Sequence, residues 1–243
     1  MKRIIYILCL CIILLCGCTQ TNQEQESSEF TVKDGHLVNA LGVEYSFLAV
    51  EGDLYHLGEM EFVGSIQGEE KTDKSFGILP YQTGMYSIKN GNDNILIRRA
   101  PNNEWRSYFR KSELPTFDYS ADNCIRMEFV HGSGDCEEDS IHVTCCGGIT
   151  DKLQITEFLA NIRLQKNPHE AGLYDLVTRP DGSYENCYRC GVIYGFFEEE
   201  PNIVIRMPVT SYNDLAYSIR IGENEYVLPK EWLDEFLNSK CLP

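Results

Sequence analysis

From about Leu37 to Leu228 the chain is punctuated at short intervals: apolar and β-branched runs alternate with clusters of Gly, Asn, Asp and Pro. Runs of that length, bounded by turn chemistry, favour strands over helices. Tyr45–Val50 and Leu54–Ile66 are joined across Glu51-Gly52-Asp53, and the second run is interrupted by Gly58 and Gly64, which points to bulges or a chain bend. Met85–Lys89 and Ile95–Arg99 flank Asn90-Gly91-Asn92-Asp93, and Asn-Gly between two such runs is a strong hairpin signal. Trp105–Arg110 and Cys124–Val130 complete a first group. Leu173–Thr178, Val192–Phe197, Ile203–Met207, Leu215–Ile221 and Glu225–Leu228 form a second. Several runs alternate apolar with polar residues, as half-buried antiparallel strands do.

Two segments read as helix. Asp151 to Lys166 places Ile155, Phe158, Leu159 and Ile162 on one face, with Asp151 and Gln154 at capping-box spacing and Asn167-Pro168 as a stop. Pro229 opens a short helix through Leu237 with Trp232, Leu233 and Phe236 directed inward. The fold class expected is α+β and β-rich, with mainly antiparallel sheets and two short helices at about 151–166 and 229–237. Strands do not alternate with long helices, which disfavours a doubly wound nucleotide-binding sheet. Asn94-Ile95-Leu96-Ile97-Arg98 and Asn202-Ile203-Val204-Ile205-Arg206 look alike. They mark either a duplicated hairpin in two lobes, about 36–130 and 140–243, or two ordinary strands of one body spanning 36–243.

The formal charge of −16 argues against nucleic acid, whose binding begins with clustered Lys and Arg, and against an electrostatic grip on anionic lipid. The amino terminus is organised differently from the rest. Met1-Lys2-Arg3 is basic, and Ile4 to Leu15 is an unbroken apolar run, too short for a spanning helix and the length of a secretory signal core. Leu15-Cys16-Gly17-Cys18 follows immediately. These residues resemble the signal peptide of bacterial lipoproteins, whose lipobox reads Leu, a small residue, Gly or Ala, then Cys; Cys16 stands where Ala, Ser or Thr is commoner. The resemblance implies cleavage of residues 1–17, diacylglyceryl and palmitate-type acylation at Cys18, and retention at the extracytoplasmic face of the cell membrane. Loss of Lys2 and Arg3 takes the formal charge to −18. Residues 18–35 are expected to form a polar tether, since Thr19 to Glu29 contains no apolar side chain.

Seven further cysteines remain after Cys18: Cys124, Cys136, Cys145, Cys146, Cys187, Cys190 and Cys241. Export places them where disulfides persist, and an odd number leaves at least one thiol over. Structural disulfides within Cys124–Cys190 are one expectation. A structural zinc site, with Cys187-x-x-Cys190 and His142-x-x-Cys145 as two ligand pairs, is a second, and buried free thiols are a third. The acidic segment His131–His142 lacks EF-hand spacing and reads as a solvated loop, and Glu198-Glu199-Glu200-Pro201 reads as an exposed turn.

The chain carries no G-x-S-x-G, S-x-x-K, H-E-x-x-H or P-loop motif, and no cofactor is expected beyond the zinc alternative. The five histidines, His36, His56, His131, His142 and His169, show no other ligand spacing. These features point to a lipid-anchored extracytoplasmic module that binds a protein or envelope ligand, with no residue assigned a catalytic role. An exposed aromatic patch drawn from Tyr55, Tyr81, Tyr108, Tyr194 or Tyr217 would serve such a module. The rival expectation is a cell-envelope hydrolase using acidic residues in a cleft.

Overall fold

The computed structural model describes residues 28–48, 53–69, 73–76, 79–100, 103–131, 145–183 and 185–238. The amino-terminal part holds ten strands: β1 (Ser28–Lys33), β2 (His36–Val38), β3 (Glu44–Phe47), β4 (Asp53–His56), β5 (Met60–Ile66), β6 (Asp73–Phe76), β7 (Leu79–Gln82), β8 (Gly84–Ile88), β9 (Ile95–Ala100) and β10 (Asn103–Lys111). Seven of them close a barrel in the order β1-β2-β3-β10-β9-β8-β5. Neighbours are antiparallel except at the closure, where β1 runs parallel to β5 with Phe30 beside Ile66. Alternation sorts the side chains: Phe30, Leu37, Tyr45, Ile66, Met85, Leu96 and Phe109 fill the interior. Tyr86, Ile97 and Tyr108, side by side in register, point outward into a second core.

The carboxy-terminal part adds β11 (Arg126–His131), β12 (Cys145–Ile149), α1 (Lys152–Arg163), β13 (Cys187–Phe196), β14 (Ile203–Tyr212), β15 (Ala216–Ile221), β16 (Asn224–Leu228) and α2 (Lys230–Asn238). Its sheet runs β12-β11-β13-β14-β15-β16. The seventh strand is β4, which leaves the barrel to pair with Ile203–Arg206 of β14, while β15 takes Val209–Tyr212 on the same edge. The expected run Leu54–Ile66 therefore divides at Gly58, whose φ of +100° suits a residue without Cβ. Its first half joins one sheet and its second half the other. Gly64 falls at a register shift between β5 and β8, as its place in the run suggests.

Asp151 caps α1 by accepting from the backbone N–H groups of Leu153 (2.8 Å) and Gln154 (3.0 Å). The helix buries Ile155, Phe158, Leu159 and Ile162; at about 2 kcal/mol per buried side chain this stripe contributes on the order of 8 kcal/mol before ordering costs. Phe158 meets the Trp232 ring of α2 edge-on at 5.5 Å. Beyond α1, the Lys166 carbonyl accepts from Val227 N–H, tying the helix exit to the outer edge of β16.

The fold is the expected α+β, β-rich arrangement of mainly antiparallel sheets, with corrections in detail. Leu173–Leu176 is a 3-10 turn instead of a strand, entered through Gly172 at φ +72°. Leu173 and Val177 face Tyr212 together, a helical spacing that the β-rich composition of the run conceals. Ser28–Lys33, inside the stretch read as tether, is the barrel strand β1, and its Phe30 is a core residue. The two lobes are not copies of each other: one closes into a barrel, the other is an open sheet with helices, and β11 belongs to the second. The two look-alike pieces instead meet through their turns, where Asn92 Nδ2 donates to Glu200 at 3.2 Å.

Candidate functional site

Cys18, Cys136, His142 and Cys241 lie outside the described residues, as do the side chains of Cys145, Cys146, His131 and Tyr81. Cys124, Cys187 and Cys190 are thiols, none of them in a disulfide. Burial pushes the Cys124 thiol up to about 12 and Cys190 up to about 11. Cys187 and Cys190, expected as one ligand pair of a zinc site, stand on opposite faces of β13. Cys190, three residues along the strand, faces the main core, with its Sγ against the Val209 carbonyl at 3.5 Å. Cys187, opposite Tyr212, packs on the other face with Leu173 and Val177. Among the described residues no three His, Cys, Asp or Glu side chains converge as a metal site.

The tyrosine patch is also redistributed. Tyr108 and Tyr194 are buried, and Tyr217 is half-buried against the main core. Glu200, read as part of an exposed turn, is 4% exposed and pairs with Arg110 at 3.7 Å. It joins the barrel strand β10 to the turn before β14.

Strand register assembles a group that no local motif announces. On the sheet face turned away from α1, two rows cross β11, β13, β14 and β4. One reads Glu128, Tyr194, Arg206, Asp53, and the next Arg126, Phe196, Val204, Tyr55. Arg126 lies over the Phe196 ring at 3.9 Å and pairs with Glu128 at 3.0 Å. Tyr55 meets two guanidiniums, Arg206 at 5.2 Å and Arg106 of β10 at 5.1 Å. Arg220 of β15 reaches Asp53 at 2.8 Å. Each ring contact contributes about 0.5–1 kcal/mol where water reaches it. The two rows and the arginines reaching onto them bring Arg106, Arg126, Arg206 and Arg220 together with Asp53 and Glu128, and Glu225 of β16 stands directly across from Arg220.

Beside Tyr55, His56 turns the other way and is 2% exposed. Its Nδ1 lies 3.2 Å from Arg106 Nη1 and 3.3 Å from Tyr108 Oη. Nε2 lies 3.5 Å from the same guanidinium nitrogen, and since a guanidinium only donates, the imidazole serves it as acceptor. Burial, reinforced by Arg106 and Arg99, lowers the His56 pKa to about 3, so the imidazole is neutral throughout the physiological range. It positions Arg106 beneath the face and does not act as a proton carrier there.

The sequence names Tyr55 and Tyr194 as candidates but none of the arginines. Arg126, Arg206 and Arg220 each stand alone in their strands, and only the pairing of β11, β13, β14, β15 and β4 brings them to one face. Strand alternation was the available signal, since Arg126, Tyr194, Arg206 and Tyr55 all occupy the face opposite the apolar one. No family model, curated protein or solved structure matches the chain, and what it does is read from its own residues.

Proposed function

We propose that the protein is a lipid-anchored extracytoplasmic lipoprotein whose β-rich body is a binding module for a protein or envelope ligand. The observation that carries this reading is Leu15-Cys16-Gly17-Cys18 directly after a basic start and a twelve-residue apolar run. Acyl chains on one cysteine add about 0.8 kcal/mol per buried CH₂, and a pair of chains holds stably where one does not. The stretch from Cys18 to Ser28, where β1 begins, spans at most about 35 Å when extended, which keeps the body within reach of the membrane surface. An acidic body stands off from an anionic leaflet, so its arginine–aromatic face is left for a ligand other than the lipid.

The test is metabolic labelling with a fatty-acid probe combined with membrane fractionation. Wild-type protein is expected to take up the probe and sediment with membranes, and Cys18→Ser to lose both. Unchanged labelling and retention in Cys18→Ser would overturn the assignment.

A further inference from the structure

We infer that the hairpin tip formed by residues 39–43, with Leu41 at its apex, enters the neutral-headgroup surface of the bilayer and docks the barrel end-on against the membrane. The inference deepens the lipid-anchored reading and rests on it, because only a tethered body meets the bilayer often enough for so small a contact to count.

Strand register puts this tip where the tether arrives. β1 and β2 pair Thr31 with Val38, and the hairpin beyond Val38 continues toward the level of Ser28, where β1 begins, on a neighbouring strand about 4.8 Å away. The same end of the barrel carries the β8–β9 turn, whose Asn92 meets Glu200 just before β14. β14 then runs away from that end for ten residues, about 30 Å. Leu215, in the turn after β14, therefore marks the opposite end of the molecule. Leu41 is 88% exposed and Leu215 68%, so two hairpin tips each present a bare leucine, one beside the tether and one far from it.

The tip is suited to leaving water. None of residues 39–43 is charged. The N–H groups of Leu41 (3.0 Å) and Val43 (2.9 Å) donate to Asn39 Oδ1, that of Gly42 donates to the Asn39 carbonyl at 2.9 Å, and that of Asn39 donates to the Val43 carbonyl at 3.1 Å. Donors already satisfied within the chain cost little to move toward hydrocarbon, whereas unsatisfied ones resist it strongly. The charges around the tip set which lipid it meets. Glu29 of β1 and Glu44 of β3 are exposed beside it, and Glu113 follows β10, where Ser112 N–H donates to the Glu44 carbonyl. Lys89 and Lys111, at the same end, are each paired at 2.7 Å with an acid, Glu59 and Asp93. At physiological ionic strength these acids repel anionic headgroups over about 8 Å, and neutral headgroups admit Leu41.

The experiment reconstitutes the full lipidated protein in phosphatidylcholine vesicles and reads the two leucines against each other. Hydroxyl-radical labelling of the wild-type protein needs no variant to fold. On a free body Leu41, the more exposed of the pair, should react at least as fast as Leu215; on a docked body it should react about threefold or more slowly. Leu41→Trp should be quenched by lipids brominated along the acyl chain, beyond the background that Trp105 and Trp232 give in the wild type, and Leu215→Trp should not. Replacing about a third of the neutral lipid by phosphatidylglycerol should weaken both the protection and the quenching. Leu41 reacting as fast as Leu215, equal quenching of the two introduced tryptophans, or stronger signals with the anionic lipid would each overturn the proposal. Fatty-acid labelling of the same preparation separates the two readings: a lipidated protein whose Leu41 stays open refutes the docking alone, whereas an unlipidated protein refutes the anchor and takes the docking with it.

Discussion

The two faces of the seven-stranded sheet are made by alternate residues of the same strands, yet they answer to different demands. In one direction Met127, Phe129, Ile193, Ile205 and Met207 point into a core sealed by α1, α2 and the outer wall of the barrel. In the other, one residue along, stand Glu128, Arg126, Tyr194 and Arg206. The first face gains its free energy from removing apolar area from water, so substitutions there act on stability. The second also buries Val192, Tyr194, Phe196 and Val204, and leaves Arg126 and Arg220 partly exposed, where ion pairs contribute little to folding.

That division is broken or sharpened by a graded set of substitutions. Phe158→Ala, which empties the centre of the helix-covered face, should cost about 3–5 kcal/mol in urea unfolding. Acid should act at the seam between the lobes. His56 has a folded pKa near 3 against an ordinary value near 6.5, so between those values the unfolded state binds a proton that the folded state refuses. Stability is then fully present above about pH 6.5 and declines as pH falls, with a slope of up to about 1.4 kcal/mol per pH unit. Unfolding curves at pH 7, 6, 5 and 4 measure it, and His56→Gln should flatten the profile by about one proton. A profile unaltered by that substitution would contradict the buried neutral imidazole.

Gly195 lies between Met127 and Ile205 in the apolar row, where a Cβ would come 2.3 Å from Cys124 Sγ and 2.8 Å from Ile205. Gly195→Ala is expected to cost about 2 kcal/mol. Combining it with Cys124→Ala should recover much of that loss, a non-additivity that a double-mutant cycle reads directly. Asp151→Ala, which strips the cap from α1, should cost about 1 kcal/mol. Smallest of all, Arg126→Gln and Arg220→Gln should each change unfolding free energy by less than about 1 kcal/mol, because both guanidiniums reach solvent. A large stability loss from either would make this face part of the scaffold.

How much of this was legible in the sequence follows from the range of the interactions concerned. Helix α1 is encoded locally, by Asp151 at the cap and four apolar residues at helical spacing, and it appears within a few residues of its expected ends. The hairpin around Asn90-Gly91 is equally local, with Asn90 at φ +59°. Barrel closure is not local: it depends on parallel pairing of Ser28–Phe30 with Gly64–Ile66, and nothing in the polar run before Phe30 indicates a strand. Glu200 looks like one of three surface acids until folding brings Asn92 and Arg110 to it. The cysteine expectations fared according to register. Cys187 and Cys190 have ligand spacing along the chain, but residues three apart in one strand point to opposite faces. The arginine row is the extreme case, since its members come from four strands and share no motif.

The division between a structural face and a binding face is tested most directly by arginine-selective labelling of the protein on intact cells, compared with the same protein purified in detergent. Arg126, Arg163 and Arg220 have side chains 39%, 42% and 43% exposed, so without a ligand they should react alike. On cells, Arg126 and Arg220 are predicted to be shielded while Arg163 reacts as it does in the purified protein. Equal labelling of all three in both settings would contradict the account.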